Sequence, residues 1–229
     1  MIIEAHIKTI LWDLDGTLLN SFGIFSDLLS EILPIYGVEV PALEVMSKNF
    51  HGSLEESIAN SAGLELTDDR VNQMLQDFLR IQNGHYDVVD DHLFKDALAL
   101  MRRAESAGIK QVIVSNREHI GRLNGSPRSI VERSELKDYV RIVISGDDSV
   151  HRKPNPEVIE ALLADGTVRP QETLVIGDQY VDGLFARNIG VNAVLVERNG
   201  QSIAHLENMG DGWEDHVSIV KSLDEMKLA

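Results

Sequence analysis

The segment Ile7-Lys8-Thr9-Ile10-Leu11-Trp12 is a short apolar run that stops abruptly at Asp13-Leu14-Asp15-Gly16-Thr17, and no other feature limits the fold as tightly. A run of this length bounded by an acidic, turn-forming segment reads as a buried strand that delivers acids to a loop at its C-terminal end. Similar runs recur at Gln111-Val112-Ile113-Val114, Val140-Arg141-Ile142-Val143-Ile144, Thr173-Leu174-Val175-Ile176 and Ala193-Val194-Leu195-Val196, and polar or glycine-bearing residues follow four of the five. Between them lie helical patterns: 94 to 107 closed by Gly108, 156 to 164, and 182 to 189 closed by Gly190. Alternating strands and helices predict an α/β fold, a doubly wound, Rossmann-like parallel sheet whose ligands bind beyond the carboxyl ends of the strands. The polar strand ends then face one crevice. Val217 to Met226 reads as a last helix.

Residues 21–91 break the alternation. Helical periodicity recurs there (22 to 35, 54 to 62, 68 to 83) with no convincing strand. The expectation is a catalytic core of 1–20 and 92–229 with an all-helical cap domain, 21–91, inserted after the first strand. Its two crossings would act as the hinges of a lid.

Charge excludes some partners. A formal net charge of −16 with no basic stripe speaks against nucleic acid. No apolar stretch approaches the roughly 20 residues of a membrane helix. Met1 to Lys8 carries an acid and lacks the basic start of a signal peptide. With no cysteine there is neither a disulfide nor a thiolate metal site, which suits a reducing compartment. A soluble, cytoplasmic protein is expected, in which any anionic substrate must be met by a local cation. A homodimer is one candidate assembly.

Asp13 and Asp15 stand two apart at a strand end, and Gly16 permits the sharp turn that aims both at one point. Hard oxygen ligands suit Mg2+. Aspartate and glycine are also plain turn formers, so this loop alone is a modest signal. A second acidic loop, Gly177-Asp178-Gln179-Tyr180-Val181-Asp182-Gly183, follows another apolar run. Asp178, directly at the strand end, is the better ligand candidate, whereas Asp182 either caps the next helix or supports the site from behind. Ser115-Asn116 offers neutral donors at a third strand end. In Lys153-Pro154-Asn155-Pro156 two prolines present a lysine on a stiff support.

Together these four segments resemble the haloacid dehalogenase-like superfamily, in particular its phosphatases with a helical cap after the first motif, the subgroup of phosphoglycolate phosphatase and beta-phosphoglucomutase-like proteins. The resemblance spans nearly the whole chain. It implies a Mg2+-dependent phosphatase acting on a small phosphorylated metabolite through an aspartyl-phosphate. Asp13 would be the nucleophile and a metal ligand. Asp15 would be the proton donor and acceptor and would give its backbone carbonyl to the metal. Asp178 would be the other carboxylate ligand, with Asp182 ligating through water or orienting the ligands. Ser115 and Asn116 would bind the phosphoryl oxygens and Lys153 would neutralise charge between Asp13 and the phosphoryl group. His51 in the cap and Arg117 after Ser115-Asn116 are candidates for specificity, Arg117 through a substrate carboxylate or a surface acid.

Asp15 speaks against dehalogenation, which needs no leaving-group acid. A hexose-phosphate mutase of the same superfamily is the main alternative, but its usual cap-entry histidine is replaced here by Phe25. The other alternative, a non-catalytic binding module, would be expected to have lost the nucleophile, the acid or the lysine.

Overall fold

The computed structural model describes residues 2–50, 53–118, 123–198, 206–210 and 212–229. Among the described residues eight strands are interspersed with helices: β1 (Ile2–Ile3), β2 (Thr9–Trp12), β3 (Lys110–Val114), β4 (Ile142–Ile144), β5 (Thr173–Gly177), β6 (Asn192–Val196), β7 (Val217–Val220) and β8 (Lys227–Leu228). Six form one sheet in the order β4-β3-β2-β5-β6-β7, with every neighbouring pair parallel. The doubly wound fold expected from the sequence is therefore present. β2 is the first strand of this sheet in the chain, and the order turns back on its two sides, with β3 on one and β5 on the other. That is the topological switch point, where the crevice beyond the strand ends opens.

β2 is buried along its whole length, which is why it reads as an unbroken apolar run rather than an alternating one. Its alternate residues face opposite layers. Leu11 lies in register with Val112 and Val175, Val175 with Ala193, and Ala193 with Val217. This row packs on Leu162 of α7 (Glu160–Ala164) and Phe185 and Ala186 of α8 (Tyr180–Asn188). Each fully buried side chain of this kind contributes about 1.5–3 kcal/mol. On the other side Trp12 buries its ring and donates Nε1–H to Gln111 Oε1 at 3.2 Å, while Gln111 donates to the Met101 carbonyl at 3.1 Å. The polar atoms of the buried sheet are thus paired where the ring needs them.

The expected last helix is instead β7, a short 3-10 turn at Leu223–Glu225, and β8 paired with β1. The β-branched run Val217-Ser218-Ile219-Val220 explains this: it has the residues of a strand and an open sheet edge, β6, beside it. Among the described residues no helix is long and apolar enough to cross a membrane.

By internal contacts the chain divides into two compact units, Met1–Leu19 with Leu93–Ala229, and Asn20–His92. The second unit holds α1 (Ser21–Ile32), α2 (Leu43–Asn49), α3 (Leu54–Ala62) and α4 (Asp69–His85). The sequence pattern did not announce α2, whose only buried residue is Met46. Within this unit the Phe25 ring packs at 4.8 Å from Phe50 and 5.8 Å from Phe78, centroid to centroid. α3 starts with a reciprocal cap, Ser53 Oγ accepting from Glu56 N–H and Glu56 accepting from Ser53 N–H. In the first unit, α5 (Lys95–Ser106) packs beside β3 and α6 (Pro127–Glu132) beside β4.

Candidate active site

β2 ends at Trp12, in register with Ile113 of β3 and Ile176 of β5. Asp13 extends the ladder by one more bond, its N–H donating to the Ile176 carbonyl at 2.8 Å. Its side chain emerges at the mouth of the central strand, beside the residue pair Gly177-Asp178. The chain then turns through Gly16 at φ +80°, a left-handed conformation open to glycine and strained for other residues. A Cβ built there would lie 2.1 Å from Asp178 Oδ2, so the glycine also makes room for the second acid.

Asp13, Asp178 and Asp182 are buried and each offers a carboxylate oxygen, all within 4.8 Å of one another. Gly177 lets them converge, since a Cβ at that position would meet Asp182 Cγ at 2.3 Å. Lys153 Nζ donates to Asp13 Oδ1 at 2.5 Å and to Asp182 Oδ1 at 2.7 Å, with its side chain almost wholly enclosed. The other Asp182 oxygen accepts from Gln179 N–H at 3.2 Å, at the start of α8. Asp182 caps α8 through one oxygen and bonds Lys153 through the other.

The electrostatics express this crowding. Burial pushes the Asp13 carboxyl up to about 7; Lys153 opposes the rise, and Asp182 and Asp15 add to it. Burial, then Asp13 and Asp182, hold Asp178 well above the usual carboxylate range. Burial opposes charge on Lys153, yet Asp13 and Asp182 more than offset it and raise its ammonium above the ordinary lysine value. Three buried acids with one shared ammonium are an anion-rich cage of hard oxygens, and that donor set fits a divalent cation. Asp13, Asp178 and Asp182 could hold it.

A second layer fixes the cation-bearing loop. Asn116 Nδ2 donates to the Lys153 carbonyl at 3.0 Å and its Oδ1 accepts from Lys153 N–H at 2.9 Å. The Asn116 side chain, expected to serve a phosphoryl oxygen, here bonds the peptide groups of Lys153 through both its ends. Gly146, just past β4, donates to the Arg117 carbonyl at 2.8 Å, and a Cβ there would lie 2.2 Å from the Asn116 carbonyl oxygen. Glu118 and Arg152 form an ion pair across the same two loops. Sequence reasoning missed Asn116 as a clamp and Gly146 altogether. A glycine one residue past an apolar strand was the available signal of a close backbone approach.

Ser115, at the end of β3, is buried, with its hydroxyl oxygen accepting from Arg117 N–H at 3.1 Å. Arg117, expected to meet a substrate carboxylate or an acid of the protein, meets an acid: its guanidinium is engaged by Asp15, with Nε 2.9 and 3.1 Å from the two carboxylate oxygens and Nη2 also contacting Oδ1. Asp15 therefore stands beside the acidic cluster with its side chain turned to an arginine. The Gly125 carbonyl accepts from Arg117 Nη1 at 3.1 Å. Gly121, Arg122 and His51 lie outside the described residues.

The haloacid dehalogenase-like hydrolase family matches residues 10–196. Among curated relatives, the pyrophosphatase PpaX of Anoxybacillus flavithermus is 25% identical over 205 residues, 88% of each chain. The phosphoglycolate phosphatase of Rhodospirillum rubrum is 28% identical over 195 residues, 82% of this chain and 79% of the relative. The crystal structure of a predicted phosphoglycolate phosphatase from Haemophilus somnus 129PT superposes with a TM-score of 0.73 at 18% identity, covering 96% of both chains. With its acids at the ends of β2 and β5 and its lysine between them, the chain belongs to the haloacid dehalogenase-like hydrolases.

Proposed function

We propose that the protein is a Mg2+-dependent phosphatase that hydrolyses a small phosphorylated metabolite through an aspartyl-phosphate on Asp13. The observation that carries this reading is the convergence of Asp13, Asp178 and Asp182 in one buried cluster with Lys153 bonded to Asp13 and Asp182. The names of the relatives, a pyrophosphatase and a phosphoglycolate phosphatase, support phosphate chemistry. The helical unit is read as a cap domain.

An Asp13 oxygen attacks phosphorus as the bond to the ester oxygen breaks, and the departing electron pair takes a proton from the Asp15 carboxyl. A water molecule then gives its proton to Asp15 and its oxygen to phosphorus, which frees phosphate and restores the Asp13 carboxylate. Lys153 holds positive charge against Asp13 where the phosphoryl group arrives, and the Ser115 hydroxyl and the Asn116 N–H bind its oxygens. Asp178 and Asp182, with Asp13 and the Asp15 carbonyl, would hold the Mg2+, which supplies charge neutralisation for the phosphoryl oxygens when bound.

The mutase alternative is weakened by Phe25, buried among Phe50 and Phe78 and without a group that could move a proton. A silent binding module is disfavoured because the acids and the lysine are present and engaged with one another. Phosphate release from p-nitrophenyl phosphate tests the proposal. Turnover with Mg2+, none with EDTA, and loss in Asp13→Asn are expected; wild-type turnover in the Asp13 variant would refute the assignment.

A further inference from the structure

Arg117 takes no part in the chemistry just described, yet it is the more buried member of its ion pair with Asp15 at the mouth of the sheet. Its side chain is 8% exposed, that of Asp15 29%. It is also held from several directions. Its N–H donates to Ser115 Oγ at 3.1 Å, its carbonyl accepts from Gly146 N–H at 2.8 Å, and Nη1 donates to the Gly125 carbonyl at 3.1 Å. The remaining edge of the guanidinium, Nε and Nη2, faces both oxygens of Asp15. A planar fork matched to a carboxylate sets the direction of that carboxylate as well as its charge, which a lysine cannot do. Asp15 itself precedes the Gly16 turn and is partly open to solvent.

We propose that Arg117 is a positioning residue: anchored by Gly125 and the Ser115 loop, it orients Asp15 for proton transfer to the leaving group. This rests on the phosphatase reading above and deepens it. The arrangement also separates two uses of a buried arginine. One that bound substrate would change affinity for every substrate, whereas one that aims the acid matters in proportion to how much the leaving group needs a proton.

The test compares kcat/KM, which reports the steps up to leaving-group departure, for aryl and alkyl phosphates in wild type, Arg117→Met and Arg117→Lys. p-Nitrophenolate departs without protonation, while an alkoxide does not. General acid catalysis supplies about 10²–10⁴-fold, and small misplacements forfeit much of it. In Arg117→Met, kcat/KM for an alkyl phosphate should fall by roughly 30-fold or more and for p-nitrophenyl phosphate by about threefold or less. A plot of log kcat/KM against leaving-group acidity should steepen accordingly. Arg117→Lys, which keeps the charge and guards against a folding failure, should show the same steepening with its unfolding midpoint near that of wild type. Equal losses for both substrates, a rise in KM alone, or full rescue by lysine would overturn the proposal. If wild type releases no phosphate from either ester, both this inference and the phosphatase reading fail; if wild type is active and the slopes are parallel, only this inference fails.

Discussion

Asp13→Asn should stop turnover and at the same time make the metal-free fold more stable. The Asp13 carboxyl is pushed up to about 7 from its ordinary 3.8, chiefly by burial. In the unfolded chain it returns to that ordinary value. Between these two pH values the folded protein holds a proton that the unfolded chain has already lost. The stability this group contributes is therefore complete below pH 3.8 and is lost as pH rises through about 7. At about 1.4 kcal/mol for each tenfold change in proton activity, the loss reaches ~4 kcal/mol by pH 8. Relaxation and water entry bring the observable to roughly half of that, ~2 kcal/mol. Asparagine keeps the shape of the protonated acid and has nothing to ionise. For a chain of this size 1 kcal/mol moves the unfolding midpoint by about 2–4 °C. In EDTA at pH 8 the variant should unfold about 4–8 °C above wild type. Near pH 4.5 the gap should shrink to about a degree or two, since little of the loss has accrued there. Mg2+ at saturation should stabilise wild type more than the variant and narrow the gap at pH 8. Thermal unfolding followed by circular dichroism reads all of this. A variant less stable than wild type at pH 8 in EDTA, or a gap independent of pH, would show that burial does not strain this carboxyl.

Lys153→Met removes the ammonium that Asp13 and Asp182 share, so turnover should fall by about 10²–10³ in steady-state assays, and the metal-free midpoint should drop because an unpaired buried charge costs about 3–5 kcal/mol. Adding Asp13→Asn to that variant should restore part of the stability, which equal midpoints for single and double variants would contradict. Gly16→Ala forces a Cβ into the Asp178 carboxylate at a left-handed φ. Loss of about 2 kcal/mol and at least tenfold weaker Mg2+ binding by calorimetry are expected, and unchanged metal affinity would count against this placement of Asp178. Asn116→Ala releases the peptide groups of Lys153, so kcat should fall about tenfold while KM stays within about twofold. A KM effect alone would return the Asn116 amide to phosphate binding.

The parts of this molecule that local chemistry dictates were legible in its sequence. Buried parallel strands are continuous apolar runs, so β2, β3, β5 and β6 were visible directly, and with them the strand ends that present Asp13, Ser115 and Asp178. Gly108 and Gly190 marked the ends of α5 and α8 because their positive φ suits no other residue as well. β7 was hidden: its burial is buried-exposed-exposed-buried rather than alternating, and four residues with helix-compatible neighbours carry too little periodicity to separate strand from helix. The pairings of the site were less legible still. Arg117 is 102 residues from Asp15, and Asn116 is 37 from Lys153, so neither contact leaves a local trace. Both depend on the register that sets the ends of β2, β3 and β4 side by side, which is a property of the assembled sheet.

That register also resolves an apparent conflict between a chain of net charge −16 and an anionic substrate. Surface charges are screened over about 8 Å at physiological ionic strength, whereas enclosed ones are screened far less. What an incoming phosphoryl group meets is therefore the inventory of the cleft. There, among the described residues, the carboxylates Asp13, Asp15, Asp178 and Asp182 stand with the cations Lys153 and Arg117. The imbalance of about two negative charges is the charge of one divalent cation, and it would otherwise be relieved by protonating Asp13 and Asp178, the two groups that burial already pushes upward. Cation binding and proton uptake are thus competing answers to one electrostatic deficit. Acidification should weaken the hold on metal for the same reason that it stabilises the metal-free fold.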